Sequence, residues 1–321
     1  MNEYIKVVKN SYIILTSLST AVFLLQKSQP ALFAKMKGAI LNSMLALAAL
    51  ASAGPVGVRQ DTEYVGPANG TLVIVGGNAS DDLIYQKIID LAGGVDAPIV
   101  TVPTAEGSDT YDDDAAAAGT FRRLGAKNVT VLHTYDPKVA DTEEFAAPLR
   151  SAKGVFFGGG RQWRLVDAYA GTLTERLFHE VLDRGGVVSG SSAGASIQGS
   201  FLARGDTANN QILVGDHQVG FGFAKNVAID QHVLVRNRQF DMFDILKARP
   251  ELLGIAIDEN TALIVSKNDA EVYRGTYVII YDGSFWSREG SDLKNLPDSS
   301  SIFYFLKDGD KYDLGKREVV V

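Results

Sequence analysis

Short apolar runs rich in β-branched residues alternate along the chain with segments in which apolar residues recur every three or four positions. The runs predict buried strands at residues 72–75, 99–102, 129–132, 155–157 and 187–189. Between them, apolar positions spaced like one face of a helix predict helices at residues 81–91 and 172–184, the first ending at Gly93. This alternation is typical of βαβ units and predicts an α/β fold on a mainly parallel sheet flanked by helices.

The pattern changes after residue 190, where strand-like runs follow one another with little helix between them. Further strands are predicted at residues 212–214, 227–229, 262–265 and 277–281. One helix is predicted at residues 240–246, and we interpret this part as the sheet continuing into an antiparallel region. No internal repeat or low-complexity linker divides the chain, which predicts a single domain over residues 69–321 behind a mobile polar lead-in at residues 54–68.

Two apolar stretches, residues 12–25 and 39–53, precede the first predicted strand. Both are shorter than the roughly 18 residues that are typical of a membrane-spanning helix. Counted from Met36, the second has a lysine, an apolar run and the small-residue sequence Ala51-Ser52-Ala53, which are the parts of a secretory signal peptide. We therefore expect residues 1–53 to be a leader and the protein to be secreted, with a membrane anchor formed by the leader as the alternative.

Composition excludes several classes of function. The chain has no cysteine, which rules out disulfides, thiolate metal sites and a cysteine nucleophile. Its net charge is −7, and without the predicted leader 26 basic residues face 37 acidic ones, so nucleic acid is a poor partner. No H-E-x-x-H or histidine-rich spacing predicts a metal site, and Gly76-Gly77 lacks the full G-x-G-x-x-G pattern, so we predict no cofactor.

The sequence also carries three N-x-[ST] sequons, at Asn69, Asn78 and Asn128. In a secreted protein these predict N-glycans on the surface. The sequence leaves a homodimer open as an assembly.

A candidate nucleophile follows the predicted strand at residues 187–189. The sequence Gly190-Ser191-Ser192-Ala193-Gly194 fits a G-x-S-x-G pattern between a strand and a helix, and only Ser192 occupies its serine position. A serine on such a sharp turn needs small neighbours, because the residues two before and two after it crowd one another. The alternative is a glycine- and serine-rich loop that binds a phosphate or simply turns.

A serine nucleophile needs a general base and a group that orients it. The chain offers four histidines as bases: His133, His179, His217 and His232. Only His232 lies in a polar cluster directly behind an apolar run, in the sequence Asp230-Gln231-His232; a hydrogen-bonded histidine at a strand end is the alternative. Asp258 or Glu259, set between two apolar runs, is the candidate orienting acid, although both also suit a turn.

Four blocks of sequence stand out by their order and spacing. They are residues 156–162 (Phe-Phe-Gly-Gly-Gly-Arg-Gln), 190–195, 230–238 and 254–262. In these blocks the chain resembles the cyanophycinases and related peptidases of family S51, a group that includes aspartyl dipeptidases, over about residues 71–285. The resemblance implies a fold like that of class I glutamine amidotransferases, a flavodoxin-like three-layer sandwich, and a Ser192–His232–Glu259 triad.

The resemblance also implies the surroundings of the triad. The oxyanion hole would be formed by backbone N–H groups of Gly159, Gly160 and Ala193. The substrate would be bound by Gln162, Asp230, Gln231, Arg236 and Arg238. If the segment after Val235 is extended, the two arginines point to the same face and are able to clamp one carboxylate together. The implied substrate is the β-linked aspartyl-arginine unit of cyanophycin, released as dipeptides by exopeptidase action, or a short aspartyl peptide.

Three positions depart from the family pattern. Arg161 replaces an acidic residue, Ser191 replaces a common threonine, and Asp241 stands where a third arginine is expected. We expect the charge reversals to alter recognition of a charged substrate more than the chemistry. The alternatives are an aspartyl dipeptidase acting on short α-linked peptides and a non-catalytic, amidotransferase-like binding protein.

Overall fold

A computed structural model of the protein describes residues 64–282 and 303–320. The predicted leader, residues 1–53, lies outside the described residues, so neither the signal peptide nor the membrane anchor is tested by the structure. Within the described ranges, no helix combines the length and apolar character needed to cross a membrane.

The end of the predicted lead-in, from residue 64 onward, is hydrogen-bonded to the body of the protein. The N–H of Val65 donates to Asn268 Oδ1 at 2.9 Å. The N–H of Gly66 donates to the carbonyl of Lys267 at 2.7 Å. Val65 and Gly66, in the predicted lead-in, are therefore attached to the turn at Lys267 and Asn268.

The described residues form fourteen strands, eight α-helices and one 3-10 helix, Thr104–Glu106. The strands are β1 (Thr71–Val75), β2 (Pro98–Val102), β3 (Asn128–Val131), β4 (Gly154–Phe157), β5 (Val187–Ser191), β6 (Gly199–Phe201), β7 (Ala224–Gln231), β8 (Leu253–Ile257), β9 (Ala262–Ser266), β10 (Asp269–Tyr273), β11 (Tyr277–Asp282), β12 (Phe303–Lys307), β13 (Lys311–Asp313) and β14 (Glu318–Val320). The helices are α1 (Asp82–Ala92), α2 (Ala118–Arg123), α3 (Pro137–Ala140), α4 (Glu143–Ser151), α5 (Trp163–Tyr169), α6 (Leu173–Asp183), α7 (Ala193–Ser196) and α8 (Met242–Ala248).

Within the described residues the strands form two sheets. A nine-stranded sheet has the order β14-β13-β10-β9-β1-β5-β4-β2-β3, and a five-stranded sheet has the order β12-β11-β8-β7-β6. In the larger sheet, β1 to β5 pair in parallel and β9, β10, β13 and β14 pair in antiparallel fashion. The predicted α/β fold with a mainly parallel sheet and flanking helices is confirmed.

The second sheet differs from the prediction that one sheet simply continues after residue 190. Strand β1 is paired with β5 on one edge and with β9 on the other. Strands β7 and β8 pair with each other in parallel and, with β6, β11 and β12, build a separate sheet. The antiparallel continuation is found only in β9, β10, β13 and β14.

The prediction of a strand at residues 212–214 is wrong. These residues lie in a loop of turns and bends. Their apolar character has another cause, because Leu213 is buried in the core cluster of the five-stranded sheet and its carbonyl accepts the Arg204 N–H at 3.0 Å. The run anchors a loop and does not extend a sheet.

The two helices predicted before residue 190 are confirmed to within one residue at each end. Asp81 caps α1 by accepting the N–H of Leu83, and Thr172 caps α6 by accepting the N–H of Glu175. Gly93 ends α1 in the left-handed conformation, with φ of 108°.

The strands of the central sheet are buried on both faces. In β1, Leu72 and Ile74 face the main core, which also contains apolar residues of the five-stranded sheet, while Val73 and Val75 face a second cluster with α1. A third cluster packs α8 on the opposite face of the five-stranded sheet. Such two-sided burial explains the continuous apolar runs of the sequence.

Candidate active site

Ser192 lies on a sharp turn between β5 and the short helix α7. Its backbone has φ of 58° and ψ of −110°, an unfavourable conformation for a residue with a side chain. A Cβ atom on Gly190 would lie 2.7 Å from the carbonyl carbon of Gly194, and one on Gly194 would lie 2.8 Å from that of Phe157. Both positions therefore need glycine, as the G-x-S-x-G pattern predicts.

His232 follows β7 and faces Ser192. The distance from Ser192 Oγ to His232 Nε2 is 2.8 Å. The imidazole lies over Gly77, where a Cβ atom would be 2.5 Å from Nε2 and would collide with the ring. Gly77 thus provides the space that lets the histidine reach the serine.

Glu259 lies in the turn between β8 and β9, on the other side of the imidazole. Its Oε1 is 2.6 Å from His232 Nδ1. An ionised carboxylate only accepts hydrogen bonds, so Nδ1 carries the proton and Nε2 keeps the lone pair that is able to accept the proton of Ser192. Asp258, the other acid left open by the sequence, instead accepts the N–H groups of Leu234 and Val235 through Oδ1.

Strand β1 aligns these three segments through consecutive carbonyl groups. Val75 accepts the N–H of Ser192 at 3.0 Å, and Gly76 accepts the N–H of His232 at 2.8 Å. Gly77 accepts the N–H of Asn260, next to Glu259, at 2.9 Å. The strand and its two following glycines thus set the register of all three side chains although they contribute none of them.

The electrostatic surroundings keep His232 neutral. Burial lowers the pKa of His232 below its ordinary value of 6.5. The hydrogen bond to Glu259 raises this pKa in part, and the positive charges of Arg236 and Arg238 lower it. A neutral imidazole is the form that a general base requires.

The glycine-rich segment after β4 runs past the serine. A Cβ atom on Gly159 would lie 3.9 Å from Ser192 Oγ, so the backbone passes directly beside the hydroxyl. The N–H groups of Gly159, Gly160 and Ala193 make no hydrogen bond to other residues in the described part of the chain. They are therefore free to donate to a group bound at the serine.

A cleft of about 380 Å³ opens onto Ser192 and His232. Its other lining residues are Asn78, Ala79, Tyr85, Glu106, Ala116, Ala117, Phe156, Gly158, Gly159, Ser191 and Arg236. Glu106 and Arg236 contribute one negative and one positive charge to this wall. Among the described residues, no group of three or more histidine, aspartate or glutamate side chains is arranged to hold a metal ion.

Of the five predicted substrate-binding residues, the structure places only Arg236 on this cleft. The segment after Val235 is a turn, not extended, so Arg236 is exposed while Arg238 is buried. Arg238 Nη1 donates to Gln231 Oε1 at 2.9 Å. The condition for a joint arginine clamp is thus not met.

The remaining predicted residues belong to a buried network around Arg204. Its guanidinium is fully buried, forms a two-bond pair with Asp230 at 2.7 and 2.9 Å, and lies 2.5 Å from Asp241. Gln162 Nε2 donates to the carbonyls of Ala203 and Arg204 at 2.7 and 2.9 Å. Asp241, which departs from the family pattern, is therefore engaged by an internal cation.

Two residues of the site were missed by sequence reasoning. Asn78 donates through Nδ2 to Glu259 Oε2 at 3.0 Å, yet the sequence marks it only as a sequon. Arg204 lies outside the four blocks that carry the family resemblance, and its pairing depends on contacts between distant segments. For Asn78, the available signal was the preceding pair Gly76-Gly77, since two glycines after a buried strand indicate that another segment of the chain approaches closely there.

The other sequon asparagines, Asn69 and Asn128, are exposed, and each donates to a backbone carbonyl, of Asp183 and Asp96 respectively. The predicted glycans remain predictions. At Asn78, however, the nitrogen that would carry the sugar faces the acid of the site.

Comparison with known proteins assigns the chain to a family. The model described as Peptidase family S51 matches residues 72–273. A cyanophycinase of Geminocystis herdmanii is 31% identical over 254 residues, which cover 75% of this chain and 93% of the relative. A cyanophycinase of Synechococcus elongatus is 31% identical over 264 residues, which cover 77% of this chain and 80% of the relative.

A solved structure supports the same assignment at the level of the fold. The crystal structure of a peptidase from an acI-B1 Actinobacterium superposes with a TM-score of 0.56 at 23% identity, covering 77% of this chain and 98% of that one. The expected fold, parallel strands flanked by helices as in the amidotransferase-like peptidases, is thereby confirmed. The chain belongs to peptidase family S51 and is a serine peptidase.

Proposed function

We propose that the protein hydrolyses aspartyl peptide bonds by acyl transfer, with Ser192 as nucleophile, His232 as general base and Glu259 as the acid that orients the imidazole. The observation that supports this is the continuous chain of short contacts, 2.8 Å from Ser192 to His232 and 2.6 Å from His232 to Glu259. His232 accepts the hydroxyl proton as Ser192 Oγ attacks the carbonyl carbon. It then returns that proton to the leaving amine.

The oxyanion formed by this attack needs donors that are already in place. In our proposal the N–H groups of Gly159, Gly160 and Ala193 supply them. Gly159 and Ala193 lie beside Ser192, Gly160 follows Gly159, and none of the three N–H groups is used elsewhere in the described part of the fold. Water then attacks the acyl-enzyme from the open cleft, with His232 again acting as base. No cofactor takes part in these reaction steps.

For the substrate we propose the β-linked aspartyl-arginine unit of cyanophycin, cut to dipeptides. The identity to cyanophycinases over most of the chain supports this class. Such a unit has both a carboxylate and a guanidinium, and Arg236 and Glu106 place complementary charges on the cleft. Asp241 is paired with Arg204, which weakens the repulsion that its negative charge would exert on the aspartyl carboxylate of the substrate.

The substrate proposal is tested by incubating the purified protein with cyanophycin and measuring free dipeptide. We expect release of β-Asp-Arg, and faster cleavage of a β-linked than of an α-linked Asp-Arg peptide of the same length. Faster α-cleavage would instead identify an aspartyl dipeptidase. If no peptide is cleaved and Ser192 is inert towards a fluorophosphonate, the protein is a binding protein and the proposal is wrong.

The pH dependence of kcat/KM tests the role of His232. Activity should be lost as the pH falls through the pKa of His232, which burial holds below 6.5. Arg236 disfavours the protonated imidazole, so Arg236→Met raises this pKa and moves the acid limb to higher pH. High salt should reduce the difference between the two proteins, because Arg236 is exposed. An acid limb that moves to lower pH in the variant would contradict the assignment.

A further inference from the structure

Asn78 touches the acid of the proposed triad from the side opposite the histidine. Its Nδ2 donates to Glu259 Oε2 at 3.0 Å, while Glu259 Oε1 lies 2.6 Å from His232 Nδ1. The two oxygens of the carboxylate are thus held by different partners. The Glu259 side chain is 19% exposed, so without Asn78 one oxygen would be left to solvent.

The backbone around Asn78 is fixed, which makes this contact a property of the fold. Asn78 has φ of 41°, a conformation that asparagine tolerates better than most residues. On one side, the Gly77 carbonyl accepts the N–H of Asn260 at 2.9 Å. On the other, Asn260 Oδ1 accepts the N–H groups of Ser80 and Asp81, each at 2.9 Å. The Asn78 loop and the Glu259 turn are therefore tied together from both directions.

We propose that Asn78 is a positioning residue for the hydrolytic reaction, which it serves by fixing the rotation of the Glu259 carboxylate towards His232. The inference rests on the proposed triad and extends it by a fourth member. A carboxylate held at one oxygen only is able to turn about its terminal bond and loses alignment with Nδ1. Asn78 therefore contributes to turnover by holding the acid that orients the general base, without touching the substrate itself.

The same observation bears on the sequon Asn78-Ala79-Ser80. A glycan joined to Nδ2 would replace one of the two hydrogens on that nitrogen and would occupy the cleft that Asn78 and Ala79 line. The remaining N–H would still be able to donate to Glu259, but the sugar would block the approach of a substrate to Ser192, so we expect Asn78 to be unmodified in the active protein. Ser80→Ala destroys the sequon while leaving Asn78 in place, and the Ser80 N–H that donates to Asn260 is unaffected.

The test measures the rate at which a fluorophosphonate labels Ser192, a reading of nucleophile activation that does not depend on the peptide substrate. The proteins are expressed in a bacterial cytosol without glycosylation, and their folding is checked by urea denaturation. We expect Asn78→Ala to label about tenfold more slowly than the wild type, the size expected for one hydrogen bond to a partly solvated charge. Ser80→Ala should label at the wild-type rate.

Two further variants separate positioning from other effects. Glycine adopts a positive φ without strain, so Asn78→Gly removes the amide but adds no backbone strain. If the amide is what matters, its labelling rate should fall as much as that of Asn78→Ala. In a Glu259→Ala background, Asn78→Ala should have no additional effect, because the group it positions is gone. For the peptide reaction, the loss should be in kcat with little change in KM.

The outcomes are distinct. If Asn78→Ala and Asn78→Gly are both labelled at Ser192 as fast as the wild type, the inference is overturned and the proposed triad stands. If the Asn78 effect persists undiminished without Glu259, the residue acts on the cleft in another way and the inference is also wrong. A wild type that does not label at all removes the triad and, with it, this inference.

Discussion

Replacement of Ser192 by alanine is expected to lower kcat by about 10⁴- to 10⁶-fold, the range found when a serine nucleophile is removed from a triad. The substitution deletes Oγ, which lies 2.8 Å from His232 Nε2, and no other hydroxyl of the described residues is hydrogen-bonded to that nitrogen. Alanine keeps the Cβ atom, so the backbone strain at φ of 58° is unchanged. The loss should therefore appear in turnover and not in the urea midpoint.

The matched control is Ser80→Ala, the same chemical change at a residue outside the cleft. It should retain wild-type kcat with any substrate that the protein cleaves. Dipeptide release by Ser192→Ala within tenfold of the wild type would show that another group is the nucleophile. Either measurement needs only the peptide assay and a folding control.

Replacement of Arg204 by alanine is expected to destabilise the protein by about 3–5 kcal/mol, the range for removing one partner of a buried ion pair. Arg204 is fully buried, and its guanidinium contacts both Asp230 and Asp241. Without it, the Asp230 carboxylate, 3% exposed, keeps as its nearest cation only Arg238, 4.0 Å away. The free energy of unfolding in urea, measured at neutral pH, reports the loss.

An exposed ion pair of similar length provides the comparison. Arg123 and Asp82 lie 2.6 Å apart with side chains 57% and 49% exposed. Because water and salt already solvate this pair, Arg123→Ala should leave the free energy of unfolding almost unchanged. Equal losses in the two variants would mean that burial does not set the energetics of the Arg204 network.

The sequence predicts the parts of this fold that depend on local patterns. The buried strands β1, β2, β4 and β5 form continuous apolar runs, and α1 and α6 have both a helical period and a capping residue. The sequence therefore predicts the ends of each element to within two residues. The turn at Ser192 is predictable because its conformation requires glycine at positions 190 and 194, and both glycines are visible in the sequence. These features are encoded by neighbouring residues.

What the sequence could not predict depends on contacts between distant segments. The turn after His232 forms because Asp258 accepts two N–H groups of that turn, a bond across more than twenty residues, and this separates Arg236 from Arg238. Likewise, the apolar run at residues 212–214 has the composition of a strand but lies in a loop, because Leu213 packs into the core cluster of the five-stranded sheet. The choice between Asp258 and Glu259 as orienting acid also required their positions in space.

The three consecutive carbonyls at the end of β1 have a consequence for when the protein becomes active during its synthesis. The segments of Ser192, His232 and Glu259 are aligned on the carbonyls of Val75, Gly76 and Gly77, and the last of these bonds involves Asn260. The second edge of β1 is paired with β9, which begins two residues after Asn260. In a ribosome-bound chain that already contains Ser192 and His232, the position of Glu259 is thus not yet fixed, so the proposed triad is complete only after β9 has emerged.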